Sequence, residues 1–291
     1  MDSLSIPSNL AAACRGEERA AWLAGLPAEI AAVGRRWSLE LGEPFEPGGV
    51  TAWVAPATSA DFGDVVLKVG SRHMEGEDEA AGLREWNGDG AVRVFADEHL
   101  SPGTTAMLLE RCVPGTTLSH RPAEEQDVVI AGLLRRLWRI PSEAGSFRPL
   151  QEMCDHWADG FERKLEDGRG NEIDPAIARE GAALFRSLPS TAPVERLLCT
   201  DLHAENVLAS EREPWLAIDP KPFFGDTTYD ALQHHLNSRD RLVADPVALA
   251  TRMAGLLGLD VERLLVWLFA YCVVQSLDFP WMLGVAEQIR P

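Results

Sequence analysis

Basic residues are in short supply: 27 Lys and Arg stand against 45 Asp and Glu, leaving a formal net charge of −18 over 291 residues. A polyanion would meet repulsion across most of such a surface. This disfavours nucleic acid and anionic membrane as partners and favours small cationic molecules. Cysteine is sparse and odd in number. Cys14, Cys112, Cys154, Cys199 and Cys272 include no C-x-x-C pair, so neither a disulfide framework nor a zinc site is expected, and the thiols read as reduced and packed. No apolar run reaches membrane-spanning length, and the opening residues lack the basic segment and apolar core of a secretory signal, so a cytoplasmic protein is expected. Repeats, heptad arrays, G-x-G-x-x-G and the Walker pattern are also missing. What remains, with 46% hydrophobic residues, is a chain able to bury a substantial core in one or two domains.

The most informative stretch present is Cys199-Thr200-Asp201-Leu202-His203-Ala204-Glu205-Asn206-Val207-Leu208, followed by Trp215-Leu216-Ala217-Ile218-Asp219-Pro220-Lys221. Alternation marks two short β-type runs, one ending at Leu208 and one at Asp219, around the turn residues Ser210 to Pro214. In such a hairpin Asp201, Asn206 and Asp219 can converge on one hard cation through oxygen ligands. Phosphoryl transfer needs that arrangement, because a base that positions the acceptor hydroxyl and Mg²⁺ that neutralises phosphate charge carry most of the catalysis. Taken singly, the same residues are ordinary turn formers and strand-end caps. A hydrolase site on Asp201 and His203 lacks a matching His/Asp cluster. Upstream, Asp64 to Val69 reads as a β-branched strand after an Asp61-Phe62-Gly63 turn, and it carries Lys68. A lysine there needs a partner, or else marks an edge strand with its amine in water.

These motifs resemble those of the aminoglycoside phosphotransferases, which share the protein-kinase-like fold, a D-x-x-x-x-N catalytic loop and an I-D-P variant of the kinase D-F-G. The D-L-H-x-x-N-V-L and R-E-P-W-L-x-I-D-P runs are similar to those of the streptomycin 6-phosphotransferase and hydroxyurea phosphotransferase branch. The resemblance extends from Trp22 to about Asp278. It implies an α+β, two-lobe fold: a β-rich nucleotide-binding lobe at residues 1–113, with a helical segment near Glu17 to Trp37, and a mainly helical lobe at 114–291. It implies Asp201 as catalytic base, Asn206 and Asp219 as Mg²⁺ ligands, and Lys68 on the ATP α/β-phosphates. Of Glu75, Glu77 and Glu79, the last best matches the helix glutamate that pairs with this lysine. Met107 to Gly115, with Glu110 and Cys112, takes the place of the hinge that meets adenine through backbone atoms, and the Gly48-Gly49 turn would cover the phosphates. The implied reaction moves the ATP γ-phosphate to a hydroxyl of a small cationic acceptor, streptomycin-type first, with hydroxyurea or a sugar-like metabolite as the alternative and antibiotic resistance as the associated role. One departure stands out: Cys199 occupies the place of the kinase histidine. That substitution leaves open a nucleotide-binding protein without turnover.

Candidate helices run near Glu124 to Arg139, Leu150 to Glu166, Pro175 to Leu188, Thr228 to Ser238, Pro246 to Leu257 and Val261 to Leu277. Acceptor contacts are expected from this half. Glu152, Asp155 and Asp159 share one helix face, which holds an amine or is a solvated stripe; Asp240 and Gln275 are further candidates. Asp278 follows an unusually apolar helix and is expected to line a pocket. Asp226 is placed to cap the helix near Thr228, with Asp230 in its first turn. Adjacent His234 and His235 should split between core and surface. Lys221 either reaches a phosphate or balances local acid charge.

Overall fold

A computed structural model describes residues 4–101, 103–170 and 172–291. The chain divides into two compact units, Met1–Gly115 and Thr116–Pro291.

The first unit opens with α1 (Ser8–Ala13) and α2 (Glu17–Arg36), followed by strands β1 (Leu39–Leu41), β2 (Ala52–Ser59) and β3 (Gly63–Ser71). Helix α3 (Glu79–Trp86) and strands β4 (Val94–Ser101) and β5 (Thr104–Glu110) complete it, and the unit boundary falls within β6 (Pro114–Thr117). The sheet is antiparallel, in the order β1-β2-β3-β5-β4. Its side-chain period of two decides what each face carries. Trp53, Ala55 and Ala57 stand opposite Val69, Leu67 and Val65. Most of this layer packs with Leu10, Leu26, Ile30 and Val33 of α1 and α2 in one core, which Ala57 and Val65 continue toward Leu108. Lys68, opposite Val54 and Met107, therefore belongs to the other face. β3 is the central strand, so the edge-strand reading of Lys68 is wrong.

The second unit begins with α4 (Ala123–Leu137), α5 (Leu150–Glu166) and α6 (Pro175–Ser187). Strands β7 (Glu195–Leu198), β8 (Val207–Ser210), β9 (Trp215–Ala217) and β10 (Phe223–Asp226) follow. The chain closes with α7 (Thr227–Asp230), α8 (Leu232–Asn237), α9 (Arg239–Ala244), α10 (Pro246–Leu257), α11 (Val261–Gln275) and α12 (Trp281–Gln288). α5 and α10 keep their expected bounds. α6 and α10 share one start signal, an Asp cap before Pro: Asp174 accepts from the Ala176 N–H at 2.8 Å and Asp245 from the Ala248 N–H at 2.9 Å. The expected helix from Thr228 to Ser238 is broken into α7 and α8, and α9 and α12 were not foreseen. Besides the β8–β9 hairpin, β7 pairs with β10, Leu198 opposite Phe223 and Glu195 opposite Asp226. Packing of α5 against β10 needs Gly225, where a Cβ would lie 2.6 Å from the Leu150 Cβ. Helix α11 is apolar on nearly all sides and correspondingly buried. Its Trp267 meets Tyr229 edge to face at 5.1 Å and Phe185 at 5.9 Å.

His234 and His235 do not divide between core and surface; both are buried. The first bonds Asp127 Oδ1 through Nε2 at 2.7 Å, and the second bonds the Ala231 carbonyl through Nδ1 at 2.7 Å. Asp127 also takes two hydrogen bonds from Arg241, both at 2.8 Å, and one from Arg252 at 2.5 Å. Burial opposes its ionisation, but hydrogen bonds from Arg241, His234 and Arg252 outweigh burial and hold its carboxyl well below the usual range. Among the described residues no helix is long and apolar enough to cross a membrane.

Candidate active site

Each unit concentrates polar groups at one place. In the first, Lys68 leaves the apolar central strand and its Nζ lies 2.7 Å from both oxygens of Glu79, the first residue of α3. The side chains are 12% and 6% exposed. Glu77 pairs with Arg72 instead, so helix start and strand register together choose Glu79. A buried pair of this kind is held against strong desolvation, and cutting one partner strands the other. Lys68→Ala is therefore expected to lower unfolding free energy by about 3–5 kcal/mol, whereas Lys68→Met with Glu79→Leu should recover most of that in urea titrations. At the end of β5 the Glu110 carboxylate accepts from the Arg93 N–H at 3.0 Å, and the Glu110 N–H donates to the Arg93 carbonyl at 2.9 Å. Cys112 follows, half-buried and outside any disulfide.

In the second unit the loop between β7 and β8 carries Asp201 and Asn206. The Asn206 amide donates to the Asp201 carbonyl at 3.0 Å and to its Oδ2 at 3.4 Å. With its NH₂ so directed, the amide oxygen faces away from Asp201. The Ile218 N–H donates to the Asn206 carbonyl at 2.9 Å, which brings the strand preceding Asp219 beside the loop. β9 stops at Ala217, short of the expected end, and Asp219 lies beyond it with φ at +52°. Lys221 balances acid charge: its Nζ lies 2.5 Å from Asp219 Oδ1 and 3.1 Å from the Asp219 carbonyl. His203 Nε2 lies 3.9 Å from Asp201 Oδ1, and burial depresses this imidazole to about 4, so it is neutral near pH 7.

Among the described residues no group of three or more His, Cys, Asp and Glu is arranged to hold a metal. The donor set here is different in kind, an amide oxygen and a carboxylate. It suits Mg²⁺, which takes one or two protein oxygens and completes its shell with water and substrate phosphates.

The comparisons with known proteins give the family and the fold. Residues 36–279 match the family described as aminoglycoside/hydroxyurea antibiotic resistance kinase. The chain belongs to this kinase family. A streptomycin 6-kinase of Streptomyces glaucescens is 35% identical over 287 residues, covering 94% of this chain and 90% of its own. A hydroxyurea phosphotransferase of Kitasatospora aureofaciens is 38% identical over 250 residues, 84% of this chain and 70% of its own. Among solved structures, an aminoglycoside phosphotransferase in ternary complex with ADP and hygromycin B superposes with TM-score 0.61 at 15% identity, over 89% of this chain and 96% of that one. A choline kinase from Streptococcus pneumoniae gives 0.60 at 13%, over 92% of both chains. The fold is accordingly the α+β, protein-kinase-like one.

In this kinase chain the loop support that Cys199 lacks comes from elsewhere. Asp230 of α7, fully buried, accepts from the Cys199 N–H at 3.0 Å, the Thr200 N–H at 2.6 Å and the Trp138 indole at 2.8 Å. The Lys221 N–H donates to the Cys199 carbonyl at 2.8 Å, and the Thr200 hydroxyl donates to the Lys221 carbonyl. These bonds hold Thr200 at φ +49°, an uncommon conformation for a β-branched residue. The Cys199 thiol is enclosed, and burial, with Asp230 and Asp201 nearby, pushes its ionisation well above the ordinary range. Sequence reading placed Asp230 only in a first helical turn. The signal that marks it is a carboxylate between Tyr229 and Ala231-Leu232, apolar neighbours that force it to find buried partners. Asp226 does cap α7, accepting from the Thr228 N–H at 2.9 Å, and it also binds Arg263 and the Trp267 indole.

Three of the acceptor candidates, Asp155, Asp159 and Asp278, are already engaged by cations. Asp155 and Asp159 lie 3.5 and 2.6 Å from the Arg186 guanidinium, which also meets Glu162 at 2.7 Å, so the acidic face is a bridged, half-exposed stripe. Asp278 does not line an apolar pocket as expected. It is 38% exposed and pairs with Lys164 and, at 3.6 Å, Arg169. These contacts join residues 31 and 114 positions apart and were invisible to helical spacing.

Proposed function

We propose that this chain transfers the γ-phosphate of ATP to a hydroxyl of a small cationic acceptor, most directly one of the streptomycin type. The observation that carries the reading is the Asp201–Asn206 loop, with its amide bonded to the aspartate and Asp219 brought alongside by Ile218. Asp201 takes the acceptor's hydroxyl proton and aims its oxygen at phosphorus. Lys68, held in one orientation by Glu79, meets the α- and β-phosphates. Asn206 and Asp219 would hold Mg²⁺, which would supply charge neutralisation on the transferred group. The backbone from Glu110 to Cys112 meets adenine, with the Glu110 carboxylate spent on bracing Arg93.

Residues 1–113 and 114–291 are the nucleotide and acceptor lobes in this proposal. The streptomycin 6-kinase relative, matched over 94% of the chain, supports the acceptor class, and the hydroxyurea phosphotransferase supports the alternative. A net charge of −18 adds long-range attraction for a guanidinium compound and none for nucleic acid or anionic membrane. Asp278 remains the better acceptor carboxylate, because a ligand cation would displace only the part-exposed Lys164 and Arg169 from it, at about 0–1 kcal/mol for each surface pair. Asp155, already shared with Arg186, is the weaker one. A need for ATP supports the cytoplasm as the location of the working protein in this proposal.

The test is ADP release from Mg·ATP across streptomycin, other aminoglycosides, hydroxyurea and amino sugars. Acceptor-dependent release with streptomycin is expected. Release with another acceptor alone would keep the phosphotransfer and replace the substrate, and no release with any would remove the reading.

A further inference from the structure

The antiparallel ladder of β1 and β2 continues beyond β1. The Gly42 N–H donates to the Pro56 carbonyl at 2.8 Å and the Phe45 N–H to the Val54 carbonyl at 2.9 Å. Only residues 46–51 form the tip of this connection, and the tip contains Gly48-Gly49. A glycine-bearing tip has little order of its own, because each glycine costs extra conformational entropy to fix. Here the order is supplied from the start of the chain. Ser8 reaches Glu46 Oε2 with its N–H and its hydroxyl, both at 3.2 Å. The Asn9 N–H donates to the Pro47 carbonyl at 3.0 Å, and the Asn9 side-chain amide donates to the Gly48 carbonyl at 3.1 Å. Arg19 donates to the Val50 carbonyl at 2.7 Å. Gly48 has φ +75°, and a Cβ there would lie 2.4 Å from the Pro7 Cβ, so the two segments touch closely enough to require glycine.

The donors are themselves fixed. The Trp53 indole donates to the Ser5 carbonyl at 3.0 Å, and Leu10 and Cys14 are buried in the core that holds Trp53, Leu67 and Val69. The family match begins at residue 36, after this segment and before the tip.

We propose that residues 5–19 are a strap that positions the β1–β2 tip and so sets the affinity for nucleotide, with Asn9 and Arg19 as its positioning residues. The proposal rests on the phosphotransfer reading, in which that tip covers the nucleotide phosphates. The strap occupies the carbonyls of Pro47, Gly48 and Val50, the groups that would repel a phosphate. The backbone N–H groups of the tip are left as its contribution to an anion.

The test uses the full chain, since deleting the strap would remove Leu10 and Cys14 from the core. Asn9→Ala and Arg19→Ala are compared with the parent by amide exchange over residues 45–51 and by steady-state kinetics. Faster exchange at the tip is expected, with KM for ATP raised about two- to tenfold, the equivalent of one lost hydrogen bond, and kcat, acceptor KM and Tm little changed. Unchanged exchange, or faster exchange with unchanged KM for ATP, would overturn the strap. So would a fall in Tm and kcat with no selective change in nucleotide KM, which is what a merely structural contact predicts. If the parent turns over no acceptor, the phosphotransfer reading fails on its own. Calorimetry of Mg·ADP on parent and Asn9→Ala then decides the strap: weaker binding in the variant supports it, equal binding overturns it.

Discussion

Asp201→Asn is expected to lower kcat by about 10²–10⁴-fold while Mg·ATP binds nearly as before. The substitution keeps the side chain's size, and its carbonyl oxygen still offers Asn206 an acceptor. In the proposed mechanism what is lost is the group that receives the hydroxyl proton, and that proton moves only as the phosphoryl group is transferred. His203, 3.9 Å away, does not substitute, because burial keeps its imidazole neutral and its affinity for a proton weak. Initial-rate kinetics with the identified acceptor, paired with calorimetric titration of Mg·ATP, check both halves of the expectation. Wild-type turnover in the variant would remove Asp201 from the role of base.

The second large effect is expected at Asp230, which touches no substrate. Asp230→Ala would leave two backbone N–H groups and the Trp138 indole without an acceptor in a buried site. At about 1–3 kcal/mol for each orphaned donor, several kcal/mol of stability should be lost. The left-handed Thr200 would lose the bond that helps to hold it, so the loop should relax and kcat should fall with it. Asp230→Asn is the milder version, and its comparison with the parent has a defined pH dependence. Burial raises the Asp230 carboxyl to about 6 against 3.8 unperturbed, outweighing the hydrogen bonds from Cys199, Trp138 and Thr200. The folded state therefore binds the extra proton first. Asp230's own contribution to stability is greatest below the unfolded value near 3.8 and is lost as pH rises through about 6. Asparagine does not titrate, so the stability gap between parent and Asp230→Asn should widen as pH falls from 7 to 4. Groups common to both chains, Asp127 among them, cancel in the difference. Denaturant titrations at several pH values measure it, and a gap that narrows would contradict the burial argument.

Much of the candidate site was legible because its spacing is local. Asp201 and Asn206 sit in one turn, and Asp219 follows a strand paired to the one after Asn206, so short-range alternation and turn chemistry were enough to associate them. The helix starts at Pro175 and Pro246 were readable for the same reason, since an Asp cap and a proline act within one turn. The break between α7 and α8 was not, because nothing in the local pattern at Ala231 distinguishes a broken helix from a continuous one.

The sequence by itself determined the phosphotransfer motif, the family and the alternation that places Lys68 opposite its apolar neighbours on β3. Only the tertiary structure decided whether each charge was free or spoken for. Sheet order put Lys68 on the central strand and so against Glu79. Packing enclosed both His234 and His235 and gave Asp127 two arginines. Arg186 and Lys164 arrived from distant segments to occupy Asp155 and Asp278, and Asp230 took over the loop that Cys199 does not support. The reason is physical. Periodicity and capping are set by neighbours within a turn or two. The partner of a buried or half-buried charge is set by long-range packing, which brings together residues that no local pattern relates.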